Sequence, residues 1–197
     1  MAVFTKLNQA DISNVQNIFG FKKIKSFKGI KKGIENTNYI VNTKNKKYVL
    51  TIFERRVNNK DLPYFIKLMD TLSKKGIKCP SPIKNKYGKY IFNLKRKKAC
   101  LVSFLEGSDK KKLLEKDLLV IGKKIGLMHK KLTKIKLRRK NSFSPLKIKG
   151  LINKIKLKNS RLPKNLKDEM RESFRDINKN WPKKIPCSVI HGDLFID

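Results

Sequence analysis

Cysteine is scarce in this chain of 197 residues, and the three that are present, Cys79, Cys100 and Cys187, lie far apart. Their spacing fits no zinc, haem or dithiol motif, which argues against a metal cage or a disulfide framework and indicates reduced thiols. The chain also lacks any apolar run near the roughly 18 residues that a membrane helix needs, and its N-terminus is too polar for a signal peptide. We therefore expect a soluble, cytoplasmic protein that does not bind membranes.

Acidic residues are few as well, because 15 Asp and Glu stand against 50 Lys and Arg, which gives a formal net charge of +35. Taken alone, this charge predicts binding to nucleic acid or to an anionic membrane. The lysines, however, are scattered as pairs and triplets, with no arginine-rich stripe and no interleaved aromatic residues. The pattern favours a solvated surface and no specific nucleic-acid partner, although a basic nucleic-acid-binding module remains an alternative function.

Hydrophobic residues make up 39% of the chain and are spread over its whole length, so we expect it to fold. Their spacing predicts a first helix over residues 11–19, followed by an antiparallel meander of three strands. A polar stretch over residues 43–46 is suited to a tight turn between the second and third strands. The three strands are predicted at residues 21–27, 38–42 and 48–53.

A second helix is predicted over residues 61–75, with Asp61 as its N-cap and one apolar face. Two more strands follow, one around Ile83 and one over residues 99–104. Five strands and a helix thus make up a front lobe over residues 1–105. The pattern breaks after that point, and residues 106–197 are predicted to form a second lobe that is mainly helical.

The second lobe has its own order of elements. They are predicted as a helix with an apolar stripe from Leu118 to Leu132, a basic connector over residues 130–149, a helix over residues 165–180 and a short buried strand over residues 188–190. The first of these helices includes His129, which we expect to lie in the core. The last strand leads directly into His191-Gly192-Asp193.

That tripeptide is the clearest chemical signal in the chain. A strand followed by such a turn places one carboxylate, that of Asp193, at a cleft, and Gly192 lets a substrate approach closely. In phosphoryl transfer an Asp of this kind accepts the proton of the attacking hydroxyl or orients it. A lone tripeptide is also typical of an ordinary turn, but the order of sheet, hinge and helical lobe is that of protein-kinase-like folds.

Five segments, in order along the chain, resemble the homoserine kinases of the aminoglycoside phosphotransferase and choline kinase-like superfamily. They are FKGIKKGIENTNYIV (27–41), YVLTIFE (48–54), DLPYFIKLMDTLSKKGIKCPSPI (61–83), LVSFLEG (101–107) and VIHGDLFID (189–197). The resemblance implies an α+β, protein-kinase-like fold of two lobes, the second of them incomplete. It also implies phosphorylation of the hydroxyl of homoserine, a step toward threonine, with ATP and Mg²⁺ as cofactors.

The resemblance further implies roles for individual residues. Asp193 would be the catalytic base, and His191 would brace its loop. The nucleotide would be bound by the loop over residues 29–38, by the third strand and by the hinge. The residues that the resemblance implies for this binding are Gly29, Gly33, Asn36, Asn38, Thr51, Ser103, Phe104 and Leu105. The hinge is residues 103–107, which would hydrogen-bond adenine through the backbone. Without the resemblance, two glycines four apart are typical of a hairpin turn, and residues 103–107 read only as a strand end.

The chain departs from the general kinase pattern in two ways. Thr51 stands where the third strand usually carries a phosphate-binding Lys; homoserine kinases of this kind resemble the chain there, but the cation that pairs with the phosphates stays unassigned. The Asn and Asp that hold magnesium in the family would follow Asp197, so no metal ligand is expected within the chain. Because Mg²⁺ offsets developing charge, we expect this chain to be an inactive fragment of a longer parent.

The residues themselves do not fix the acceptor, so an aminoglycoside, choline or another small alcohol remains an alternative on the same fold. The oligomeric state is equally open. If the helical lobe is incomplete, its apolar stripes at residues 121–132 and 170–177 should be partly uncovered, which favours aggregation or association with a complementing fragment.

Overall fold

A computed structural model describes residues 3–33, 35–54, 58–108, 110, 112–139, 144–156, 162–182, 184 and 187–194. The chain forms two compact units. The first is Met1–Leu137 together with Val189–Asp197, and the second is Arg138–Ser188. A lobe boundary after residue 105 stays a prediction.

Among its described residues, the first unit contains one antiparallel sheet of five strands in the order β1-β2-β3-β5-β4, together with three helices. Its elements in chain order are α1 (Gln9–Phe19), β1 (Ile24–Gly29), β2 (Thr37–Thr43), β3 (Lys47–Ile52), α2 (Leu62–Lys74), β4 (Ile91–Leu94), β5 (Lys97–Ser103) and α3 (Glu115–Leu132). The predicted α+β class and five-stranded antiparallel sheet are confirmed. No described helix is long and apolar enough to cross a membrane.

Helix α1 starts earlier in the sequence than predicted, and the first strand starts later than predicted. The Asn8 side chain accepts a hydrogen bond from the Asp11 N–H (2.9 Å), and the Asp11 carboxylate accepts one from the Asn8 N–H (2.8 Å), which is a reciprocal capping box. At the other end the Phe21 N–H donates to the Gln16 carbonyl (3.0 Å). Phe21 therefore completes the helix terminus, and β1 begins only at Ile24.

The two faces of the sheet pack against different helices, because successive side chains of a strand point to opposite faces. On one face the fully buried Val41 and Leu50 belong to the same core cluster as Ile12 and Val15 of α1. On the other face Cys100 and Val102 of β5 pack with Ile66 of α2. We call these the α1 face and the α2 face of the sheet.

Helix α2 has the predicted extent but not the predicted cap. Asp61 occupies the N-cap position, yet its backbone is right-handed helical (φ −88°, ψ −16°) and its side chain makes no capping hydrogen bond. A capping side chain normally requires extended backbone at that position, so the cap expected from Asp61 is wrong. Pro63, which needs no N–H partner in the first turn, is compatible with the helix start instead.

The fourth strand lies further along the chain than predicted. Ile83 donates its N–H to the Leu101 carbonyl (2.8 Å) and Pro82 forms an isolated bridge with Val102, but no strand forms there. Pro82 has no N–H and cannot continue a ladder. Strand β4 is Ile91–Leu94, and the prediction of a strand around Ile83 is wrong.

Strand β4 was missed because the turn that follows it carries no turn residue. Lys95 and Arg96 connect β4 to β5, and both have left-handed backbone, with φ of 47° and 60°. Two successive residues of positive φ match the twist of paired strands, and Asn and Gly are the residues that usually supply them. Lysine and arginine there give no sequence signal of a hairpin.

Helix α3 exposes the first residue of the apolar stripe that was predicted to be core. Leu118 is 55% exposed, while Leu132 at the other end is fully buried. The prediction that Leu118 lies in the core is therefore wrong. Between them, Ile121, Ile125 and Met128 are half-buried.

The described part of the second unit contains two helices, α4 (Pro145–Lys154) and α5 (Leu166–Lys179). Helix α4 overlaps residues that were predicted as a basic connector, a prediction that is wrong from Pro145 onward because three lysines obscure the helical spacing of Ile148 and Ile152. The two helices line an apolar groove of about 360 Å³. Ile177 of α5, predicted to point inward, is 54% exposed.

The left-handed turn between β4 and β5 predicts a stabilising substitution. Arg96 is exposed, so replacing it with Gly removes no buried contact. The replacement should relieve roughly 1–2 kcal/mol of left-handed backbone strain in the folded state. It should cost roughly 0.5–1 kcal/mol, because glycine loses more conformational entropy on folding. Urea unfolding should therefore show Arg96→Gly to be more stable than the parent by about 0.5 kcal/mol or more. The control Arg96→Ala keeps the strained backbone and should not gain. Equal stability of the Gly and Ala variants would contradict the assignment.

Candidate active site

The connection between β1 and β2 forms the loop that was predicted to cover the nucleotide phosphates. The Ile30 N–H donates to the Asn38 carbonyl (2.8 Å), which extends the ladder by one pair beyond Gly29. Within the loop Gly33 has φ of 103°, a left-handed conformation that favours glycine, and no atom lies within 4 Å of where its Cβ would be. The predicted loop is thus a hairpin connection with an open glycine turn.

The N-terminal segment packs against the start of this loop. A Cβ on Gly29 would lie 2.8 Å from Cγ2 of Val3, which is closer than van der Waals contact allows. The segment is also hydrogen-bonded to β2, since the N–H groups of Phe4 (3.0 Å) and Thr5 (3.1 Å) both donate to Oγ1 of Thr37. A side chain at residue 29 would therefore force the side chain of Val3 to move.

A polar cluster on the α1 face joins the N-terminal segment to the start of β2, to Glu54 just after β3 and to the start of β5. Oε1 of Glu54 accepts hydrogen bonds from the hydroxyls of Thr5 (2.6 Å) and Thr37 (2.7 Å). The Lys97 ammonium forms an ion pair with the other carboxylate oxygen and also donates to Oγ1 of Thr5 (2.7 Å). We call Thr5, Thr37, Glu54 and Lys97 the brace, because they hold the end of the glycine loop to β5.

The carboxylate of Glu54 is charged within the brace. Burial raises the pKa of Glu54, but the hydrogen bonds from Lys97, Thr5 and Thr37 and the positive charge of Lys97 outweigh burial and lower the pKa below its ordinary value near 4.5. The Glu54 N–H in turn donates to Oδ1 of Asn36 (3.3 Å). Asn36, predicted to bind nucleotide, is thus tied to the residue at the centre of the brace.

Two other predicted residues meet on the opposite face of the sheet. Asn38 of β2 and Thr51 of β3 are register partners, and Oγ1 of Thr51 donates to Oδ1 of Asn38 (2.8 Å). Cys100 lies opposite Thr51 on β5, and burial raises the pKa of its thiol to about 12, so it is an unreactive thiol. The structure therefore brings Asn38 and Thr51 together on the α2 face.

Lys97 does not replace the lysine that the third strand lacks. Thr37 and Asn38 are consecutive in β2, so their side chains point to opposite faces of the sheet. Lys97 contacts Thr5 and Glu54, which also contact Thr37 on the α1 face. Thr51 and Asn38 lie on the α2 face. The cation that would pair with phosphates stays unassigned.

The predicted hinge has most of its backbone donors engaged. The Ser103 N–H donates to the Ser81 carbonyl (2.8 Å), and the Phe104 N–H donates to the Lys47 carbonyl (3.3 Å). The Lys47 ammonium also lies 5.4 Å from the centre of the Phe104 ring. Leu105 is 38% exposed, and its N–H forms no hydrogen bond with the described residues. Of the three residues predicted to bind nucleotide at the hinge, Leu105 has the backbone donor that a ligand could use.

The His-Gly-Asp segment is exposed and lies outside any helix or strand. No strand forms at residues 188–190 in the described structure, and Ile190 is 61% exposed, so the prediction of a short buried strand is wrong. An apolar triplet reads as a strand in sequence, but a strand needs a neighbour to pair with. Asp193 is exposed, and no hydrogen bond or ion pair among the described residues links it to the loop over residues 29–38.

A hydrogen bond to His129, and not strand pairing, holds the His-Gly-Asp segment. Its Nε2 accepts a hydrogen bond from the His191 N–H (3.1 Å), and its ring is half-buried. The expectation that His129 belongs to the core is therefore wrong, because this residue of α3 positions the backbone next to Asp193. Sequence spacing gave no signal of a bond between residues so far apart.

The class of protein follows from comparison with known families. The model of the phosphotransferase enzyme family matches residues 26–197. The chain belongs to this family, which confirms the resemblance seen in its sequence.

One relative is particularly informative about which branch of the family the chain resembles. The chain is 34% identical over all 197 residues to the homoserine kinase of Agrobacterium fabrum and spans 61% of that protein's length. A second relative, the homoserine kinase of Sinorhizobium medicae, is 32% identical over the same 197 residues, which make up 60% of its length.

Solved kinase structures share the fold. An amicoumacin kinase in complex with AMP-PNP and Ca²⁺ aligns with a TM-score of 0.60 at 16% identity, over 86% of this chain and 54% of that protein. A spectinomycin phosphotransferase in complex with ADP and spectinomycin aligns with a TM-score of 0.53 at 17% identity. The alignment covers 89% of this chain and 56% of that protein. The protein-kinase-like fold is thereby confirmed.

The brace predicts a stability effect that depends on pH. Folding lowers the pKa of Glu54, so its stabilisation is present above the ordinary value near 4.5 and is lost as the pH falls through the lower folded value. At neutral pH, Glu54→Gln should lower the free energy of unfolding by about 1–3 kcal/mol, because Lys97 loses its charged partner. Urea titrations at several pH values should show this loss shrinking below about pH 4.

A matched control for this prediction is Asp168→Asn, which removes an exposed ion pair with Arg171. This variant should lose no more than about 0.5 kcal/mol. Equal losses in the two variants, or a loss in Glu54→Gln that does not change with pH, would show that the brace does not stabilise the fold as described.

Proposed function

We propose that the protein to which this chain belongs transfers the γ-phosphate of ATP to the hydroxyl of homoserine. The observation that carries this proposal is the 34% identity over all 197 residues to a relative named homoserine kinase. Two solved kinases of this fold are complexes with the nucleotides ADP and AMP-PNP, and the carry-over of the reaction to this chain is by analogy. Because the chain spans 61% of the relative's length, we propose that the chain alone does not turn over substrate.

The nucleotide would lie against the α2 face, between the glycine loop and the hinge. Gly33 leaves space for backbone N–H groups to approach phosphate oxygens, as glycine turns do in other phosphate sites. Leu105 would hydrogen-bond the adenine through its backbone, since the N–H groups of Ser103 and Phe104 are engaged within the protein. Bound ATP would supply the phosphoryl group, and these residues would hold and orient it.

Asn38 and Thr51 would shape the sheet beside the phosphates. Their mutual hydrogen bond fixes the carboxamide and the hydroxyl on one face of the sheet. Two neutral groups replace a lysine there, so they would orient the phosphates through hydrogen bonds and leave charge neutralisation to other groups. The brace on the opposite face would hold β2, the strand that follows the glycine loop, at a fixed position relative to β5.

Asp193 would accept the proton of the substrate hydroxyl or orient that hydroxyl for attack. His191 would contribute through its backbone, whose N–H is held by His129. The described residues contain no group of three or more His, Cys, Asp or Glu side chains that could hold a metal ion. The proposal assigns the metal no ligand among the described residues.

A chimera tests the proposed reaction. This chain would replace the aligned 61% of the Agrobacterium fabrum homoserine kinase, and formation of O-phosphohomoserine from ATP and homoserine would be followed by ³¹P NMR. We expect turnover with homoserine and none with choline or an aminoglycoside. The chain alone should give no product.

The control for the chimera is Asp193→Asn, which keeps the size of the side chain and removes its basicity. Its kcat should fall by about a hundredfold or more, while its affinity for ATP stays unchanged. Turnover of choline or an aminoglycoside at or above that of homoserine would refute the acceptor. An Asp193→Asn chimera as active as its parent would refute the role of Asp193.

A further inference from the structure

We propose that the first unit carries a second anion site, specific for a short chain of linked phosphates, at the end of the sheet away from the glycine loop. The site is an open concavity of about 490 Å³ between the α1–β1 connection and the β2–β3 turn. Two lysines line it from each side. They are Lys22 and Lys23 on the first connection and Lys44 and Lys46 on the second.

All four ammonium groups are available to a ligand. The four side chains are exposed, and none of them forms an ion pair with a described residue. The residues that line the concavity, each of them described, include no Asp or Glu. Several lysines of the same unit do have acidic partners, among them Lys95 with Asp11 (3.2 Å). The concavity therefore concentrates positive charge that is not neutralised within the protein.

The two sides of the concavity are fixed by hydrogen bonds. The β2–β3 turn is closed by the Thr43 N–H donating to the Lys46 carbonyl (2.9 Å) and by the Lys46 N–H donating to Oγ1 of Thr43 (3.1 Å). The other connection starts at the left-handed Gly20 (φ 65°) and ends where the Ile24 N–H donates to Oε1 of Gln16 (2.9 Å). Both backbones are thus held before any ligand arrives.

Aromatic packing joins the two sides. The ring of Phe21, beside Lys22, stacks on the ring of Tyr48, just after the turn, with their centres 5.2 Å apart. Ile24 and Thr43 are also register partners in the sheet. The distance between the lysine-bearing backbones is therefore set by the fold, which reduces the ordering that binding would require.

The size and charge of the concavity select the ligand class. Its volume falls in the range of small-molecule pockets. Lysine binds phosphate as a point charge, and four such charges match a chain of several linked phosphates better than one carboxylate or one phosphate. A long nucleic-acid strand would extend beyond the concavity and contact the many other lysines of the surface.

This site is separate from the proposed nucleotide site. Ile24 pairs with Thr43 at one end of the β1–β2 ladder, and Gly29 pairs with Tyr39 near the glycine loop at the other. Five residue steps along a strand separate the two ends by roughly 17 Å. The inference does not depend on the proposed reaction.

The test measures binding of inorganic tripolyphosphate to the whole chain by isothermal titration calorimetry, without added metal. A variant with Lys22, Lys23, Lys44 and Lys46 all replaced by Gln should bind at least about tenfold more weakly than the parent. A matched control replaces four other exposed lysines of the same unit, Lys78, Lys116, Lys123 and Lys124, by Gln. The control has the same net charge and should bind within about threefold of the parent.

Equal weakening in the two variants would overturn the proposal, because it would mean that the net charge of +35 attracts the anion without a built site. A single-stranded RNA oligonucleotide serves as a second probe. If the four-lysine variant lost RNA binding but kept tripolyphosphate binding, the ligand class would be wrong. Circular dichroism of both variants checks that they fold alike, which is expected because all eight side chains are exposed.

Discussion

The register between β2 and β3 is the constraint on which the rest of the first unit depends. It places Asn38 opposite Thr51 on one face of the sheet and leaves Thr37 on the other face, within reach of Glu54. A slip of one residue would exchange the two faces, separating the polar pair and breaking the brace. Buried side chains such as Val41 on the α1 face specify the register, and the tight turn that follows β2 fixes it.

Much of the fold could be predicted from local pattern. The first three strands, the polar turn at residues 43–46 and helix α2 were recognisable because apolar spacing and turn residues agree there. Strand β4 was not, because Lys95 and Arg96 take left-handed backbone without glycine or asparagine. Helix α4 was obscured by its lysines, and the apolar triplet at residues 188–190 looked like a strand although nothing pairs with it in the described structure.

The candidate site was predictable to the extent that the family resemblance located its loops. The contacts that support those loops were not, because they join residues distant in sequence. Thr5 and Glu54 are 49 residues apart, and His129 and His191 are 62 apart. No periodicity records such pairs. The same holds for charge, since lysines that look scattered along the chain meet in one concavity when the sheet brings two connections together.

We propose that a nucleotide binds this family member between the glycine turn of the β1–β2 connection and the backbone of the hinge. Amide NMR of the ¹⁵N-labelled chain during titration with AMP-PNP would reveal this binding. The structure predicts saturable shifts at Gly33 and at Leu105, the hinge residue whose N–H is not used within the described protein. A titration that leaves both of these amides unmoved at saturating nucleotide would contradict the claim.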